Sequence, residues 1–333
     1  MISDRKLSSK LKLKIGVFVP PPLESNDIKS IHSPGIGRVT KKIYARLQEL
    51  LSGENSVYEI FPELSFRNAV ITNNKVIFNG QDDLEIEKYF WYSEIDRKPN
   101  SFDFSVLKAL AETVEVTRDP FKYERALDKY TAFSLLRKSG VPVSESILVD
   151  TRNIHLVSSI VNDWKMVLMK PRRGGFGKGV TLLDSFESVR DVVEYIQATA
   201  PQFIEGGFHL ERFYENDIKL WTSVTIINGT IVYGYRKNEE RFVSLGGGRM
   251  KVYDTDEIGG SVHLCEVSDL HKRVALDAYK ALGIEVIGFD MIWHNGAPII
   301  VDVNTFPGMY QDLFDEQGID GGDLFYRMIT KAV

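Results

Sequence analysis

The chain has 333 residues, a length that predicts about two domains at roughly 150 residues each. Hydrophobic residues make up 43% and charged residues 26%, which is ordinary for a globular protein and excludes a collagen-like, low-complexity or mostly disordered chain. The formal net charge of −5 argues against a dedicated nucleic-acid binder.

The cysteine content and the apolar runs bear on the compartment. Cys265 is the one cysteine, so an internal disulfide or a multi-cysteine zinc site is excluded. The first residues alternate leucine with lysine and lack the continuous apolar segment of a secretory signal. No run approaches the roughly 18 apolar residues of a membrane-spanning helix. We therefore expect a cytoplasmic protein that binds no membrane and forms a monomer or a homo-oligomer.

The opening third of the chain has the pattern of an α/β domain. A continuous apolar run at 15–20 predicts a buried strand, and an apolar stripe over 39–51 predicts an amphipathic helix. The other predicted elements of this part are strands at 58–61, 69–72, 75–78 and 114–116 and a helix at 104–111. The composition changes at Thr117–Lys122, where we predict a domain boundary.

The rest of the chain alternates helices with strands and becomes rich in strands after Pro201. Asn228-Gly229 and Asn295-Gly296 each predict a tight hairpin turn, because these residue types tolerate positive φ. The predicted helices are 124–138, 154–161, 186–198, 270–282 and 324–332, and the predicted strands are 146–149, 164–169, 180–183, 208–213, 220–227, 231–235, 286–293 and 299–303.

A glycine-rich basic loop follows the strand that ends near Met169. It reads K-P-R-R-G-G-F-G-K-G-V from Lys170 to Val180. Its glycines let the backbone approach a ligand closely and expose N–H groups, and its lysines and arginines add positive charge. The loop therefore suits a phosphate chain, although a flexible basic hairpin on the surface would have the same composition. It is neither a P-loop nor a dinucleotide fingerprint, because no helix opens after it.

Three side chains with oxygen ligands are predicted to converge on one patch of sheet. Asp290 lies in an apolar strand, and Asp302 and Asn304 lie two residues apart on the strand that the Asn-Gly turn pairs with it. Buried carboxylates are unfavourable unless they are paired or bind a metal. Oxygen-only ligands suit Mg²⁺. The alternative is that these carboxylates face solvent from an antiparallel sheet.

Several basic residues could complete such a site, although each alone has the pattern of a solvated charge. They are Lys129, Lys219, Arg236, Arg249 and Lys251. Arg236, Arg249 and Lys251 lie around a second glycine-rich segment, S-L-G-G-G-R from Ser244 to Arg249. Near the N-terminus, His32, Gly35, Gly37 and Arg38 could reach a substrate or could belong to a surface loop.

Taken in order, these motifs resemble the ATP-grasp superfamily from about Arg118 to the C-terminus. They are closest in style to the RimK-like ligases, and N-T-F-P-G-M from Asn304 to Met309 is similar to the version in D-alanine–D-alanine ligases. Asp302 replaces the commoner glutamate of the family, and Ser244 stands where an asparagine is usual. The resemblance implies an α/β (α+β) ATP-grasp fold with an N-terminal α/β domain (1–116), a central lid subdomain (117–205) and a C-terminal mixed-sheet subdomain (206–333).

The resemblance also implies residue roles. ATP would contact Lys129, Lys170, Gly174, Gly175, Gly177, Gly179, Glu211, Phe213 and Asp217. Two Mg²⁺ ions, with Mn²⁺ as a tolerated substitute, would be held by Asp290, Asp302 and Asn304. Catalytic cations would be Lys219, Arg236 and Arg249, and the turn of Thr305, Pro307 and Gly308 would frame the substrate.

The activity implied by the resemblance is ATP-dependent ligation of a carboxylate to an amine. An acylphosphate would form and an amine would displace phosphate, so the partners would be a small-molecule or peptide carboxylate donor and an amine acceptor. One rival is a small-molecule kinase on the same fold, similar to the inositol polyphosphate kinases. Another is a nucleotide-binding module without turnover. Release of free phosphate alongside ADP separates the ligase from the kinase.

Overall fold

The structure is a computed structural model that describes residues 12–22, 36–55, 57–73, 75–81, 84–175, 177, 179–200, 206–238, 242–246, 249–252 and 262–330. The chain divides into two compact units. The first unit comprises residues 1–121 and 309–333, and the second comprises residues 122–308. The division at 121–122 lies close to the predicted boundary, but the last 25 residues belong to the first unit and not to the C-terminal segment in which we had placed them. The further division at residue 205 stays a prediction.

The first unit contains a parallel four-stranded sheet in the order β2-β1-β5-β6. Parallel strands with both faces covered are expected to be continuously apolar, and β1 and β5 follow this pattern. A separate hairpin pairs β3 with β4. The strands are β1 (Leu13–Phe18), β2 (Tyr58–Phe61), β3 (Ala69–Thr72), β4 (Lys75–Phe78), β5 (Lys88–Trp91) and β6 (Glu115–Thr117).

Helices from both ends of the chain complete the first unit. α1 begins after Thr40, whose side chain accepts a hydrogen bond from the backbone N–H of Ile43. The ring of Phe325, on the last helix, packs edge-to-face against Phe90 and Tyr92 at the central strand β5. The helices of this unit are α1 (Lys41–Leu51), α2 (Phe102–Ala111), α8 (Gln311–Glu316) and α9 (Gly321–Thr330). A further helix, α3 (Pro120–Leu127), begins at the division and has most of its residues in the second unit.

The second unit begins with an antiparallel sheet in the order β7-β10-β8-β9. One face packs on two helices through an apolar core that includes Val149, Leu210 and Val193. Residues on the opposite face, including Leu168 and Lys170, line the site described below. The elements are α4 (Lys129–Lys138), β7 (Ser146–Val149), α5 (Ser158–Trp164, after a 3₁₀ helix at Thr151–Val157), β8 (Val167–Lys170), β9 (Thr181–Leu183), α6 (Phe186–Thr199) and β10 (Phe208–Arg212).

A five-stranded antiparallel sheet in the order β15-β12-β11-β16-β17 forms the rest of the second unit. Its core packs on α4 and α7 through residues such as Leu136, Ala278 and Ile287. A separate hairpin pairs β13 with β14. The elements are β11 (Thr222–Ile227), β12 (Thr230–Lys237), β13 (Phe242–Gly246), β14 (Arg249–Val252), β15 (Val262–Leu264), α7 (Asp269–Leu282), β16 (Val286–His294) and β17 (Ala297–Asn304).

Most predicted elements are present within a few residues of their expected positions, and both Asn-Gly turns connect paired strands with Asn228 and Asn295 at positive φ. The predicted helix at 124–138 was wrong in one respect, because it is broken at Asp128. That residue has an extended backbone and caps α4 by accepting from the N–H of Thr131. The predicted helix at 154–161 is instead a 3₁₀ helix followed by α5. The elements missed by sequence patterns are β5, β13, β14, β15 and α8.

Among the helices that the structure describes, none combines the length and the apolar character that a membrane span would need.

Candidate active site

The second unit contains a cavity lined from both of its sheets. One part of the lining is charged or rich in glycine, and the other part is apolar or aromatic. The first part comprises Lys129, Lys170, Lys237, Asp290, Asp302, Asn304, Glu211, Gly174, Gly175 and Gly177. The second part includes Leu168, Pro171, Val180, Phe213, Tyr214, Trp221, Ile292 and Val301, with Arg212 and Asn216 at its polar margin.

The carboxylates of the cavity meet on neighbouring strands. Asp290 on β16 lies directly opposite Asp302 on β17, and the register shifts after this pair so that Val301 is an extra residue. A bulge of this kind re-aims side chains, and both Val301 and Asp302 line the cavity. Two like charges directly opposite each other are destabilising, so this pair requires compensating cations.

Three lysines supply that compensation, and each is paired with a carboxylate of the cavity. Lys129 donates to Asp302 Oδ1. Lys237 Nζ lies 3.1 Å from Asp290 Oδ2, and Lys170 Nζ lies 2.8 Å from Glu211 Oε2. The three lysine side chains are at most 10% exposed. The charges of these three pairs cancel within a largely desolvated site.

The electrostatics keep two of these carboxylates ionised. Burial alone would raise the pKa of Asp302, but the ammonium groups of Lys129 and Lys170 outweigh it and lower the pKa. Burial likewise opposes the ionisation of Glu211, and Lys170 with His209 holds the pKa of that carboxyl below its ordinary value. Both groups are therefore anionic at neutral pH.

Each member of the pairs is fixed by local structure. Asp290 accepts a hydrogen bond of 2.7 Å from the hydroxyl of Ser223 on β11. Lys170 also donates to the carbonyl oxygen of Val301 at 3.1 Å, which connects β8 to β17. Lys129 is the first residue of α4, and its backbone N–H donates to the carbonyl oxygen of Arg172 at 2.9 Å.

The glycine-rich loop is tied to the start of α4. Arg172 Nε lies 2.8 Å from Asp128 Oδ2, the carboxylate that also caps α4. Gly177 and Gly179 have positive φ, and a Cβ at Gly179 would lie 2.8 Å from Pro171 Cγ. Gly174, Gly175 and Gly177 reach the cavity, whereas Gly179 is not among the residues that line it. This geometry fits a loop whose backbone approaches a ligand.

The other predicted residues lie at different distances from the cavity. Glu211 and Phe213 line it. Asp217 is exposed, and its Oδ1 accepts from the backbone N–H of Lys219, which is exposed as well. The cavity lining does not include Asp217, Lys219, Arg236, Thr305, Pro307 or Gly308. The side chain of Arg249 and all of His32 and Gly35 lie outside the described residues.

The turn after β17 is held by tyrosines. Thr305 is buried, and its hydroxyl contacts the Tyr123 hydroxyl at 3.4 Å. The carbonyl oxygen of Gly308 accepts from the Tyr233 hydroxyl at 2.7 Å. Within the described residues these contacts position the turn, and the role of Thr305, Pro307 and Gly308 toward a substrate stays a prediction.

Lys237 is a cation of the cavity that the sequence did not predict, because the prediction named its neighbour Arg236. Successive residues of a strand point to opposite faces, and Lys237 is the one that reaches the cavity. Arg236 lies on the other face beside Cys265, and its guanidinium opposes the rise in the pKa of that thiol caused by burial. The adjacent Arg236 and Lys237 indicated that β12 supplies a cation, but the sequence did not indicate which of the two side chains faces the cavity. Trp221 and Asn216 also line the cavity without having been predicted.

The donor set fits Mg²⁺ and a nucleotide. The described residues contain no cluster of three or more His, Cys, Asp or Glu side chains that could hold a metal alone. Two carboxylates and the amide oxygen of Asn304 would therefore leave positions for water and phosphate, which is the coordination that Mg²⁺ prefers. The lysines and glycine N–H groups suit phosphate oxygens, and the apolar part suits a heterocyclic base.

Comparison with solved structures defines the class of this fold. The structure is similar to a D-alanine–D-alanine ligase from Bacillus anthracis complexed with ATP, with a TM-score of 0.60 over 96% of this chain and 97% of that chain at 16% identity. It is also similar to the ATP-grasp ligase PsnB complexed with a minimal precursor, with a TM-score of 0.59 over 96% of this chain and 99% of that chain at 15% identity. The fold is that of the ATP-grasp proteins.

The sequence narrows the class to one family. The RimK-like ATP-grasp domain matches residues 126–321, which is more than half of the chain. The chain therefore belongs to the RimK-like ATP-grasp family, and the resemblance identified from its motifs is confirmed. A curated relative, the probable alpha-L-glutamate ligase of Haemophilus influenzae, is 26% identical over 184 residues, or 55% of this chain and 56% of that protein. The chain spans about half the length of the curated relatives it matches.

The predicted cofactors agree with these comparisons. ATP and Mg²⁺ are the cofactors of ATP-grasp ligases, and one structure of PsnB contains Mg and ADP together with a minimal precursor.

Proposed function

We propose that the protein is an ATP-dependent carboxylate–amine ligase that forms an amide bond and releases ADP and phosphate. One observation carries this proposal: a single cavity contains three lysines, three carboxylates, an asparagine and a glycine loop beside an apolar surface that suits a base. Membership of the RimK-like family supports the same activity.

The predicted ATP-binding residues fall into two groups, and all of them except Asp217 and Gly179 line the cavity. Phe213 and the backbone around it, with Glu211, would hold the adenine, and Asp217 would lie near the ribose. Lys129, Lys170 and the N–H groups of Gly174, Gly175, Gly177 and Gly179 would hold the phosphates. Asp290, Asp302 and Asn304 would hold two Mg²⁺ ions, for which Mn²⁺ could substitute. When bound, these ions would neutralise charge on the phosphate oxygens during transfer.

The chemistry requires two steps on one substrate carboxylate. A carboxylate oxygen attacks the γ-phosphorus of ATP, the bond to the β–γ bridging oxygen breaks, and an acylphosphate and ADP form. An amine then attacks the acyl carbon, loses a proton to solvent and expels phosphate. Cations would stabilise the oxyanion of the tetrahedral stage, a role we assign to Lys237 in place of Arg236, together with the predicted Lys219 and Arg249. The glycine loop would exclude water from the acylphosphate.

Amino acids or peptides are the substrate class that the comparisons favour. A curated relative is called a probable alpha-L-glutamate ligase, one structural neighbour is a D-alanine–D-alanine ligase, and another is complexed with a precursor peptide. We therefore propose an amino-acid or peptide carboxylate as the donor and an amino-acid or peptide amine as the acceptor. We place the reaction in the cytoplasm, where ATP is supplied, with no nucleic acid or membrane as partner.

Phosphorus NMR tests this proposal directly. Purified protein is mixed with ATP, Mg²⁺ and pooled amino acids, short peptides and small carboxylates, and the pools are then divided. We expect ADP and free phosphate to accumulate only when a carboxylate and an amine are both present. A parallel sample with inositol phosphates tests the kinase alternative, for which ADP and a new phosphoester without free phosphate would overturn the ligase assignment.

A further inference from the structure

A buried histidine lies next to the lysine–carboxylate pair that joins β8 and β10. His209 and Glu211 occupy alternate positions of β10 and therefore share one face of the sheet, and Lys170 lies directly opposite His209 on β8. Glu211 and Lys170 line the cavity, whereas His209 is not among the lining residues. The imidazole thus lies beside the Lys170–Glu211 pair on the same face of the sheet, without lining the cavity.

The environment of this imidazole is largely aromatic. The side chain of His209 is 0% exposed, and the rings of Tyr130 and Phe133 on α4 pack edge-to-face against it at 6.3 Å and 5.8 Å. Neither ring nitrogen makes a hydrogen bond of good geometry within the part of the chain that the structure describes. Burying a polar group without a partner is unfavourable, and an apolar side chain would fill this position without that penalty.

The ionisable groups around His209 determine which nitrogen carries its proton. They are Glu211 on the same strand, Lys170 on β8 and Lys129 on α4. Burial lowers the pKa of His209 more than Glu211 raises it, so the ring is neutral at physiological pH and has one N–H. Its Nε2 lies 3.5 Å from Glu211 Oε2, and only a proton on Nε2 makes that contact favourable.

Glu211 Oε2 is also the atom that holds Lys170, at 2.8 Å. A second donor on the same oxygen fixes the carboxylate, and the fixed carboxylate aims the ammonium group of Lys170 into the cavity. Hydrogen bonds of this kind are often long in the absence of ligand and tighten in the complex. We propose that His209 is a positioning residue, which donates from Nε2 to Glu211 and thereby sets the position of Lys170 for nucleotide binding.

This inference rests on the proposed function, and two substitutions test it. His209→Leu removes the donor and keeps an apolar side chain in a buried site. His209→Gln keeps an N–H at a similar reach. We expect the leucine variant to bind AMPPNP with Mg²⁺ about tenfold more weakly by calorimetry, while its Tm stays equal to or above that of the wild type. The glutamine variant should recover the affinity to within about twofold.

Two results would overturn the positioning role. One is a leucine variant that binds AMPPNP as tightly as the wild type. The other is an equal loss of affinity in both variants with a lowered Tm, since packing alone would then explain the effect.

A second readout does not depend on nucleotide. The ¹⁵N chemical shifts of the His209 ring report its tautomer. A proton on Nε2 supports the donation to Glu211, and a proton on Nδ1 contradicts it. Failure of the wild-type protein itself to bind AMPPNP would count against the proposed function, and the tautomer would still decide the contact between His209 and Glu211.

Discussion

Ion pairs with buried carboxylates occur in the first unit and in the cavity of the second unit, but the cations differ between these two regions. In the first unit, Arg67 pairs with Asp103, which also accepts from the backbone N–H of Asp96 at 2.8 Å, and Arg97 pairs with Glu94 at 2.7 Å. Arginine offers several donors in a rigid fork and so connects elements permanently. In the cavity of the second unit, lysines make the pairs, and each presents a single ammonium group to one carboxylate.

The carboxylates of the two regions also differ in the direction of their pKa shifts. Burial raises the pKa of Asp103 despite the guanidinium of Arg67. In the cavity, lysines overcome burial and lower the pKa of Asp302 and of Glu211. We infer that the arginine pairs of the first unit stabilise the fold, whereas the lysine pairs of the cavity would exchange their partners for the proposed metal ions and phosphates.

The largest effect is expected from Asp302→Asn. This change removes a proposed metal ligand while keeping the volume of the side chain, so turnover should fall about a thousandfold, or ~4 kcal/mol in the barrier. Steady-state release of ADP measures the rate, and thermal unfolding checks the fold. Asp191→Asn is the matched control, because Asp191 is exposed on α6 and pairs with Arg190 away from the cavity. An unchanged rate in Asp302→Asn would refute the metal assignment.

Breaking an arginine pair should change stability instead. Asp103→Ala removes the carboxylate that pairs with Arg67 and accepts from the N–H of Asp96, so the free energy of unfolding should fall by about 3 kcal/mol. Urea denaturation measures this change. Calorimetry on the folded variant should give an ATP affinity within about twofold of the wild type, because Asp103 lies outside the cavity. A stable variant that has lost ATP binding would reverse the roles assigned to the two regions.

Lys170→Ala should weaken nucleotide binding. The substitution removes a desolvated cation from the proposed phosphate site, and the dissociation constant of ATP with Mg²⁺ should rise about twentyfold, or ~2 kcal/mol. Calorimetry provides the measurement. Lys138→Ala, at an exposed position near the end of α4, removes the same charge from the same unit and should leave the constant unchanged. Equal affinities in all three proteins would rule out a phosphate contact at Lys170.

Removal of the metal tests the exchange itself. Within each of the three pairs the lysine and the carboxylate cancel each other's charge. ATP without Mg²⁺ must therefore separate the lysines from the carboxylates. Chelation of the metal should weaken the binding of ATP to the wild type about tenfold or more. Asp302→Asn should strengthen the binding of metal-free ATP, because Lys129 loses its anionic partner. The variant should bind metal-free ATP about fivefold more tightly than the wild type does. Tighter metal-free binding is not expected of a variant that merely disrupts the cavity. Weaker metal-free binding would argue against exchange.

The smallest effect concerns acid stability. Because the pKa of Glu211 is lowered by folding, its pairing stabilises the native state fully above about pH 4.5, the ordinary value, and this stabilisation is lost as the pH falls toward the lowered pKa. Glu211→Gln has no such dependence. The decrease in Tm between pH 6 and pH 3.5 should therefore be about 2–4 °C smaller in the variant than in the wild type. Parallel curves for the two proteins would show that Glu211 has the same pKa in both states.

The parts of the site that follow from local rules could be predicted from the sequence. Asn295-Gly296 sets the pairing of β16 with β17, and strand alternation puts Asp302 and Asn304 on one face. Asp290 lies opposite Asp302 only because of the bulge at Val301, which no local pattern indicates. The glycine loop could also be recognised, because its glycines and basic residues are consecutive in the sequence. Most helices and strands also followed from their apolar periodicity.

The parts that depend on tertiary contacts could not be predicted. The choice between Arg236 and Lys237 depends on which face of β12 meets the cavity. The N-cap role of Asp128 is a local signal that the predicted helix at 124–138 overlooked, whereas its ion pair with Arg172, 44 residues further along the chain, depends on the fold. The last two helices pack with the first unit, and no local pattern in residues 309–333 reports a contact with a strand more than 200 residues earlier.

The transfer of oxygen from substrate to phosphate tests the central claim most directly. The carboxylate donor identified by phosphorus NMR is labelled with ¹⁸O and incubated with the amine, ATP, Mg²⁺ and the wild-type protein. Formation of an acylphosphate predicts that each phosphate released retains one oxygen from the carboxylate, which shifts its ³¹P signal. Released phosphate that contains no ¹⁸O, or a labelled donor that is recovered as a phosphoester, would contradict the account.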